Sequence, residues 1–305
     1  MKRFIIDGLN LVFRAHNANF ELKTASGMPS GMFYGFFRTL LSLKKKYSQY
    51  SFMLSWDNRA HHKYALQADY KAGRTPLSSL VATQIDDIKK CLENVGIDQY
   101  EKVGQEADDV IASLVERFKS DGHVLVYSND KDMLQLVEDG KVTVFKPKVG
   151  NSPECFYDEE KVKEAFGVPP QLLACFRSFD GDSSDNIKGV PRVPRKMLAS
   201  LVSSYKDIET VYNNLSKISL TDFQERSLKE SKNVVLNNYR IIKLDRAIDD
   251  IVCHRSKIDK KFLEDMLSKY EIKSINPDDM INIFSYVAME KHSDSYVLKT
   301  YSLFD

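Results

Sequence analysis

Short runs of aliphatic, β-branched and aromatic residues recur through the first half of the chain, at Arg3–Ile6, Ser51–Ser55, His123–Tyr127 and Val142–Phe145. Between them lie longer stretches with apolar residues every three or four positions, the spacing that buries one helical face. Gly31–Lys46 carries Phe33, Phe36, Phe37, Leu40, Leu41 and Leu43 on a broad face, and Asp108–Phe118 carries Val110, Ile111, Leu114 and Val115. This alternation predicts an α/β fold with a mostly parallel central sheet and helices on both of its faces. From about Pro169 the strand pattern stops. Pro169–Phe179, Pro194–Ser203, Lys206–Asn214, Thr221–Glu230 and Val234–Leu244 read as short helices, with Asp259–Tyr270 and Asp278–Met289 as two more. The expected division is an α/β domain over residues 1–168 and a helical region over residues 169–305. Lys63–Val81 has no clean period, mixes Lys, Arg, Gly and Pro, and reads as an exposed excursion from the first domain.

Composition narrows the class without naming a chemistry. At 305 residues, 43% hydrophobic and 29% charged, the chain has ample material for a buried core. Cys91, Cys155, Cys175 and Cys253 are widely spaced and form no CxxC pair, so free thiols are expected, without a disulfide or a zinc site. The apolar run at the N-terminus is broken by Asp7, and no stretch approaches the ~20 apolar residues of a membrane span. A cytoplasmic location with no membrane partner is therefore expected.

Nine acidic residues change the picture. Asp7 ends the run Phe4-Ile5-Ile6, and Asp57 follows Phe52-Met53-Leu54-Ser55-Trp56. The others come in clusters: Glu106, Asp108 and Asp109; Asp130 and Asp132; Asp182 and Asp185. Most stand at the exits of expected strands, and in a parallel sheet the ligand site lies beyond those carboxyl ends. Each cluster has a plain structural reading. First-turn acids complement a helix dipole, Asp130 would cap a helix Lys131–Val137, and Asp182 or Asp185 would cap turns around Gly181. Taken together they point to a shared site, because like charges a few Å apart need cations between them. Hard divalent ions suit oxygen ligands, Mg²⁺ above all, with Mn²⁺ able to substitute. A carboxylate cage without a His or Cys cluster fits two ions working on a phosphoryl group. The net charge of +1, from 44 Lys+Arg against 43 Asp+Glu, then hides a basic remaining surface compatible with nucleic acid.

The order of Asp7-Gly8, Ser55-Trp56-Asp57, Tyr70-Lys71-Ala72-Gly73-Arg74, Glu106-Ala107-Asp108-Asp109, Asp130-Lys131-Asp132 and Gly181-Asp182-Ser183-Ser184-Asp185-Asn186 resembles the 5′-nuclease (flap endonuclease) family. The similarity runs from residue 3 to about residue 245 and is greatest to the 5′→3′ exonuclease domain of bacterial DNA polymerase I and its phage counterparts. It implies a helical arch near residues 63–95 and a helix–hairpin–helix near residues 186–203. No polymerase segment follows, so a stand-alone nuclease is expected. It also implies a structure-specific nuclease that cuts DNA near a 5′ end or a 5′-flap junction and removes RNA primers or flaps in replication or repair. Asp7, Asp57, Glu106 and Asp108 would hold one ion. Asp130, Asp132, Asp182 and Asp185 would surround the second, with Asp130 open to being shared between the two, and Asp109 would orient ligands or metal-bound water.

Lys71 and Arg74 are three apart, so they present two cations to one phosphate and neutralise charge developing during attack. Tyr70 is expected to stack on a base. Thr75-Pro76 reads as a helix start leading toward Cys91, and Arg14 matches a family position facing substrate phosphate. The run Lys188-Gly189-Val190-Pro191-Arg192-Val193-Pro194-Arg195-Lys196 is similar to the family's duplex-gripping turn, Gly-Val-x-Gly-Val/Ile-Gly-x-Lys. Arg192 and Pro194 replace its second and third glycines. Arg192, Arg195 and Lys196 would contribute side-chain charge in their place, which weakens the case for a bridging K⁺ ion but not for duplex binding. Tyr301-Ser302-Leu303-Phe304 resembles a peptide that docks on the sliding clamp. Competing readings are a ribonuclease of related fold and a protein that binds branched DNA without cutting it.

Overall fold

The computed structural model describes residues 1–58, 60–73, 77–255 and 257–289. The chain starts with β1 (Arg3–Asp7), α1 (Gly8–Ala18), α2 (Gly31–Lys46), β2 (Ser51–Ser55), α3 (His61–Leu66) and α4 (Ser79–Glu93). β3 (Asp98–Glu101), α5 (Ala107–Phe118), β4 (Val124–Tyr127), β5 (Val142–Lys146) and β6 (Cys155–Tyr157) complete the first part. Then come α6 (Glu159–Phe166), α7 (Pro170–Asp180), α8 (Arg195–Tyr205), α9 (Ile208–Asn213), α10 (Asp222–Glu230) and α11 (Lys232–Ile242). β7 (Val252–His254), α12 (Lys260–Lys269) and α13 (Pro277–Met289) follow.

Seven strands form one sheet in the order β6-β5-β4-β1-β2-β3-β7. β5, β4, β1, β2 and β3 are parallel, and the two edge strands run antiparallel. Strand side chains alternate faces, so each central strand feeds two cores. Ile5, Met53, Val124 and Val126 enter the core beneath α5 and α7. Phe4, Ile6, Phe52, Leu54, Leu125 and Tyr127 enter the core beneath α1, α2 and α4. The continuous hydrophobic runs of the parallel strands reflect this burial on both faces. Phe4 alone, fully buried, contributes roughly 1.5–3 kcal/mol of transfer free energy.

The expected strands β1, β2, β4 and β5 form, as do α2 and α5. Beyond Pro169 the expectation of no further strand fails. β7 pairs antiparallel with β3, through Gln99 to His254 and Tyr100 to Cys253. After it, Leu263, Met266, Tyr270, Met280 and Phe284 join the core beneath α2 and α4. Tyr270 stacks on Phe33 with ring centroids 4.2 Å apart, and its hydroxyl donates to Asp87 Oδ2 at 2.6 Å. The C-terminal helices thus return to the first core.

Two local expectations also change. Lys63–Val81 is not a wholly exposed excursion, since Lys63 and Tyr70 are buried. The expected helix Lys131–Val137 is a single 3-10 segment, Asp132–Leu136. Thr75-Pro76 lies outside the described residues. α4 begins at Ser79, where Ser78 accepts a hydrogen bond from Val81 N at 3.3 Å.

Candidate active site

Asp7 closes β1 and caps α1. Its Oδ1 accepts from Asn10 N at 3.0 Å, and its Oδ2 accepts from Ser128 Oγ at 2.9 Å. Ser128, at the end of β4, in turn accepts from Asp130 N at 3.1 Å. One hydroxyl therefore fixes the carboxyl ends of two adjacent parallel strands relative to each other. Asp57, just beyond β2, accepts from Ala107 N at 2.8 Å and sits at the positive end of α5. Asp108 lies on the first turn of that helix.

Four of these carboxylates feel one another. Burial, then the charge of Asp57 and more weakly of Asp130, pushes Asp7 up from 3.8 to about 7, against hydrogen bonds that pull it down. Burial, followed by Asp130, Asp7 and Asp57, raises Asp108 well above the usual carboxylate range. Like charges are thus concentrated in a desolvated place, which is what a hard cation relieves.

The remaining acids carry their own cations. Glu106 would be raised by burial, but Lys63 and Lys71 outweigh it and hold the carboxyl down to about 2. Lys63 Nζ stands 3.0 Å from Glu106 Oε2 and 2.8 Å from Asp109 Oδ2, and Lys71 Nζ stands 2.5 Å from Glu106 Oε1. Asp109 is fully enclosed, its Oδ1 accepting from Asp245 N at 2.9 Å. Arg177 on α7 sits between Asp132, at 3.3 Å from its Oδ1, and Asp182, whose Oδ2 it contacts through Nη2. Burial nevertheless leads in raising Asp132 to about 7, with Arg177 opposing it. Asp182 is held low because Ser184 and Arg177 outweigh its burial.

Sequence reasoning missed Lys63, Ser128 and Arg177. A cation within the apolar stretch of the expected helix Pro169–Phe179, flanked in the chain by two acid clusters, was the available signal for Arg177. Tyr70 requires a correction. Its ring is buried against Tyr64 and its hydroxyl donates to Glu106 Oε2 at 3.1 Å, so it is not presented to a base. Lys71 takes a left-handed backbone, φ 56°, and its N–H donates to Asp185 O at 3.1 Å. Asn186 Nδ2 donates to Asp69 Oδ2 at 2.8 Å, so the Asp182–Asp185 turn is tied to the Tyr70–Lys71 segment. Arg74 lies outside the described residues, as do Tyr301–Phe304. Arg14 donates to the carbonyl of Lys148.

The turn between α7 and α8 is built on close backbone approach. A Cβ on Gly189 would fall 2.2 Å from Asp180 O, and one on Gly181, at φ 79°, would fall 2.4 Å from Gly189 N. Asn238 on α11 supports the turn by donating to Ser178 O at 2.9 Å and Lys188 O at 2.8 Å. A cavity of about 890 Å³ opens here, lined among others by Lys131, Arg177, Asp182, Lys188, Gly189 and Arg195. Lys188, Arg192 and Lys196 are exposed. Arg195 is exposed too, with its Nε 3.0 Å from Asp180 Oδ2.

The acids from five chain segments thus lie along the carboxyl edge of the sheet and the adjoining turn of α7. Among the described residues, no three His, Cys, Asp or Glu side chains are disposed as a ready metal site. The donor chemistry of Asp7, Asp57, Asp108 and Asp130 fits a hard divalent ion all the same: all oxygen, mutually repelling, and graded from buried Asp7 through half-buried Asp108 and Asp130 to exposed Asp57.

The fold and site define a class in which a parallel-sheet α/β domain with an acidic carboxyl edge is joined to a helical hairpin domain. Family models match both parts: "5'-3' exonuclease, N-terminal resolvase-like domain" over residues 2–167, and "5'-3' exonuclease, C-terminal SAM fold" over residues 168–270. The chain belongs to the 5′-3′ exonuclease family. It is 34% identical over 280 residues to the 5′-3′ exonuclease of Aquifex aeolicus, covering 89% of this chain and 93% of that protein. It is 31% identical over 237 residues to DNA polymerase I of Bacillus subtilis, covering 77% of this chain but 27% of that protein. In structure it resembles bacteriophage T5 flap endonuclease, crystallised as a pseudo-enzyme–product complex with DNA and metal ions. That match has a TM-score of 0.66 at 20% identity and covers 93% of this chain and all of that one, 100%. No helix among the described residues is long and apolar enough to cross a membrane.

Proposed function

We propose that this chain is a metal-dependent, structure-specific 5′ nuclease that hydrolyses DNA phosphodiesters near a 5′ end or at a 5′-flap junction. Removal of RNA primers or flaps during replication or repair is the use that fits. The observation that carries the reading is the placement of Asp7, Asp57, Asp108 and Asp130 beside a glycine-built turn with exposed Lys188, Arg192 and Lys196. Its likeness to a flap endonuclease complexed with DNA and metal ions supports the same reading.

Asp7, Asp57, Asp108 and Asp130 would hold one ion, and Asp132, Asp182 and Asp185 a second, with Mg²⁺ expected and Mn²⁺ able to substitute. Such ions supply Lewis-acid charge to the phosphoryl group and acidify water. Water attacks phosphorus and the bond to the 3′-oxygen breaks, leaving a 5′-phosphate and a 3′-hydroxyl. Lys71 is parked on Glu106, so it reaches a phosphate oxygen only by leaving that carboxylate. Once there, its ammonium offsets charge developing in the transition state. Asp109, enclosed with Lys63, stays out of the reaction and fixes Glu106 through their shared amine. The turn after α7 would take duplex backbone through the N–H of Gly189 and the nearby cations.

End-labelled DNAs carrying a 5′ flap or a 3′ flap, incubated with Mg²⁺, test this. Cleavage confined to the 5′ flap, with 5′-phosphate and 3′-hydroxyl products, is expected. Tight flap binding with no cleavage by the native protein would overturn it.

A further inference from the structure

Arg177 is 2% exposed, and its guanidinium meets two carboxylates from different parts of the chain. Asp132 belongs to the segment after β4, and Asp182 to the turn after α7. Its Nε is 3.3 Å from Asp132 Oδ1 and its Nη2 donates to Asp182 Oδ2. A guanidinium buried this deeply is costly unless anions meet it, and these two carboxylates meet its charge through Nε and Nη2, while Nη1 is buried without a hydrogen-bond partner. The compensation is mutual. A divalent ion approaching Asp132 and Asp182 encounters a fixed positive charge already at hydrogen-bond distance, and that charge repels it. Around Asp7 and Asp108 the neighbouring charges are chiefly those of Asp57 and Asp130, which attract it, with Lys71 a weaker opposing charge at Asp108.

We infer that Arg177 is a positioning residue that serves as a built-in counter-cation for Asp132 and Asp182, so a divalent ion is held more weakly there than around Asp7 and Asp108. The inference rests on the metal-dependent reading above and adds an order of binding to it. The ion near Asp7 and Asp108 binds to the protein alone. The ion near Asp182 binds well only when further negative charge arrives, and a substrate phosphate brings such charge. The arginine also keeps the two carboxylates aligned while that place is empty, so the joint between the sheet and the α7 turn does not spring apart by repulsion.

Titration of the full chain with Mn²⁺ alone, without nucleic acid, separates the outcomes by calorimetry or by the spin-resonance signal of free Mn²⁺. The wild type is expected to bind one ion tightly and a second more weakly. In Arg177→Gln the weaker ion should tighten by about tenfold or more, as expected when one charge at contact distance is removed. Arg177→Lys, which keeps the charge, should stay close to the wild type. A merely structural arginine would give the opposite sign, because loosening the site weakens both ions. Asp182→Asn provides a check should Arg177→Gln fail to fold, and tight binding should survive it. Unchanged or weaker binding in Arg177→Gln overturns the inference, as does loss of the tight ion in Asp182→Asn. A wild type that binds no Mn²⁺ would sink the metal-dependent reading itself, and this inference with it.

Discussion

Asp7 and Glu106 are both buried at the same edge of the sheet, yet their carboxyls move in opposite directions. The difference is the company each keeps: acids around Asp7, amines around Glu106. For Asp7 the folded value of about 7 exceeds the ordinary 3.8. Between those values the folded chain holds a proton that the unfolded chain has lost, so stability falls as pH rises through this window and stays lower above it. In chelator, Asp7→Asn keeps an acceptor for the α1 cap and removes the charge. It should be more stable than the wild type at pH 8, by no more than about 4 kcal/mol. That gain should vanish near pH 3 in denaturant titrations, and a variant no more stable at pH 8 would refute the assignment. Lys63 poses the reverse case. Lys63→Met leaves Glu106 and Asp109 buried without their shared amine, and the expected loss in urea unfolding is about 3–5 kcal/mol. A loss under 1 kcal/mol would mean that water reaches these carboxylates. Nothing near Lys63 in the sequence announced its burial, because His61-His62-Lys63-Tyr64 reads as a basic surface. Its partner Glu106 is 43 residues away.

Among the elements, legibility followed hydrophobic pattern. β1, β2, β4 and β5 are apolar on both faces and were readable. β3, with the sequence Asp-Gln-Tyr-Glu, has the polarity of a loop, and its strand character comes from pairing with β2 on one side and β7 on the other. β6 and β7 are three residues each, too short to show a period. The turn before α8 shows how a departure from a family pattern can be accommodated. Arg192 stands where the pattern has glycine, and it adopts a left-handed backbone, φ 58°, of the kind glycine takes without strain. Its guanidinium lies 5.1 Å from the centre of the Phe223 ring. Arg192→Gly relieves roughly 1–2 kcal/mol of backbone strain, while glycine entropy and the lost ring contact each cost about 0.5–1. These terms nearly cancel, so stability should hardly change. Duplex affinity should fall and its log–log salt slope should flatten by about one. A large drop in melting temperature with unaltered DNA affinity would reverse the roles assigned here.

At the scale of the molecule, the gathering of acids at the carboxyl edge was legible, because strand-end aspartates in a parallel sheet share one rim. Two of the cations among them were not, because Lys63 and Arg177 reach the site only through tertiary contacts, and Lys71, legible as a site cation, was not legible as the partner of Glu106. The return of α12 and α13 to the first core was equally hidden, since their helical pattern is no different from that of α8 to α11. The account as a whole depends on the acids around Asp7 and Asp108 supporting hydrolysis, beyond merely existing in the fold. Single-turnover cleavage of a 5′-flap DNA in Mg²⁺, with wild type compared against Asp108→Asn, measures that dependence directly. The account predicts a loss of roughly 10²–10³-fold or more in the cleavage rate with flap affinity retained; an Asp108→Asn protein that cuts at the wild-type rate would contradict it.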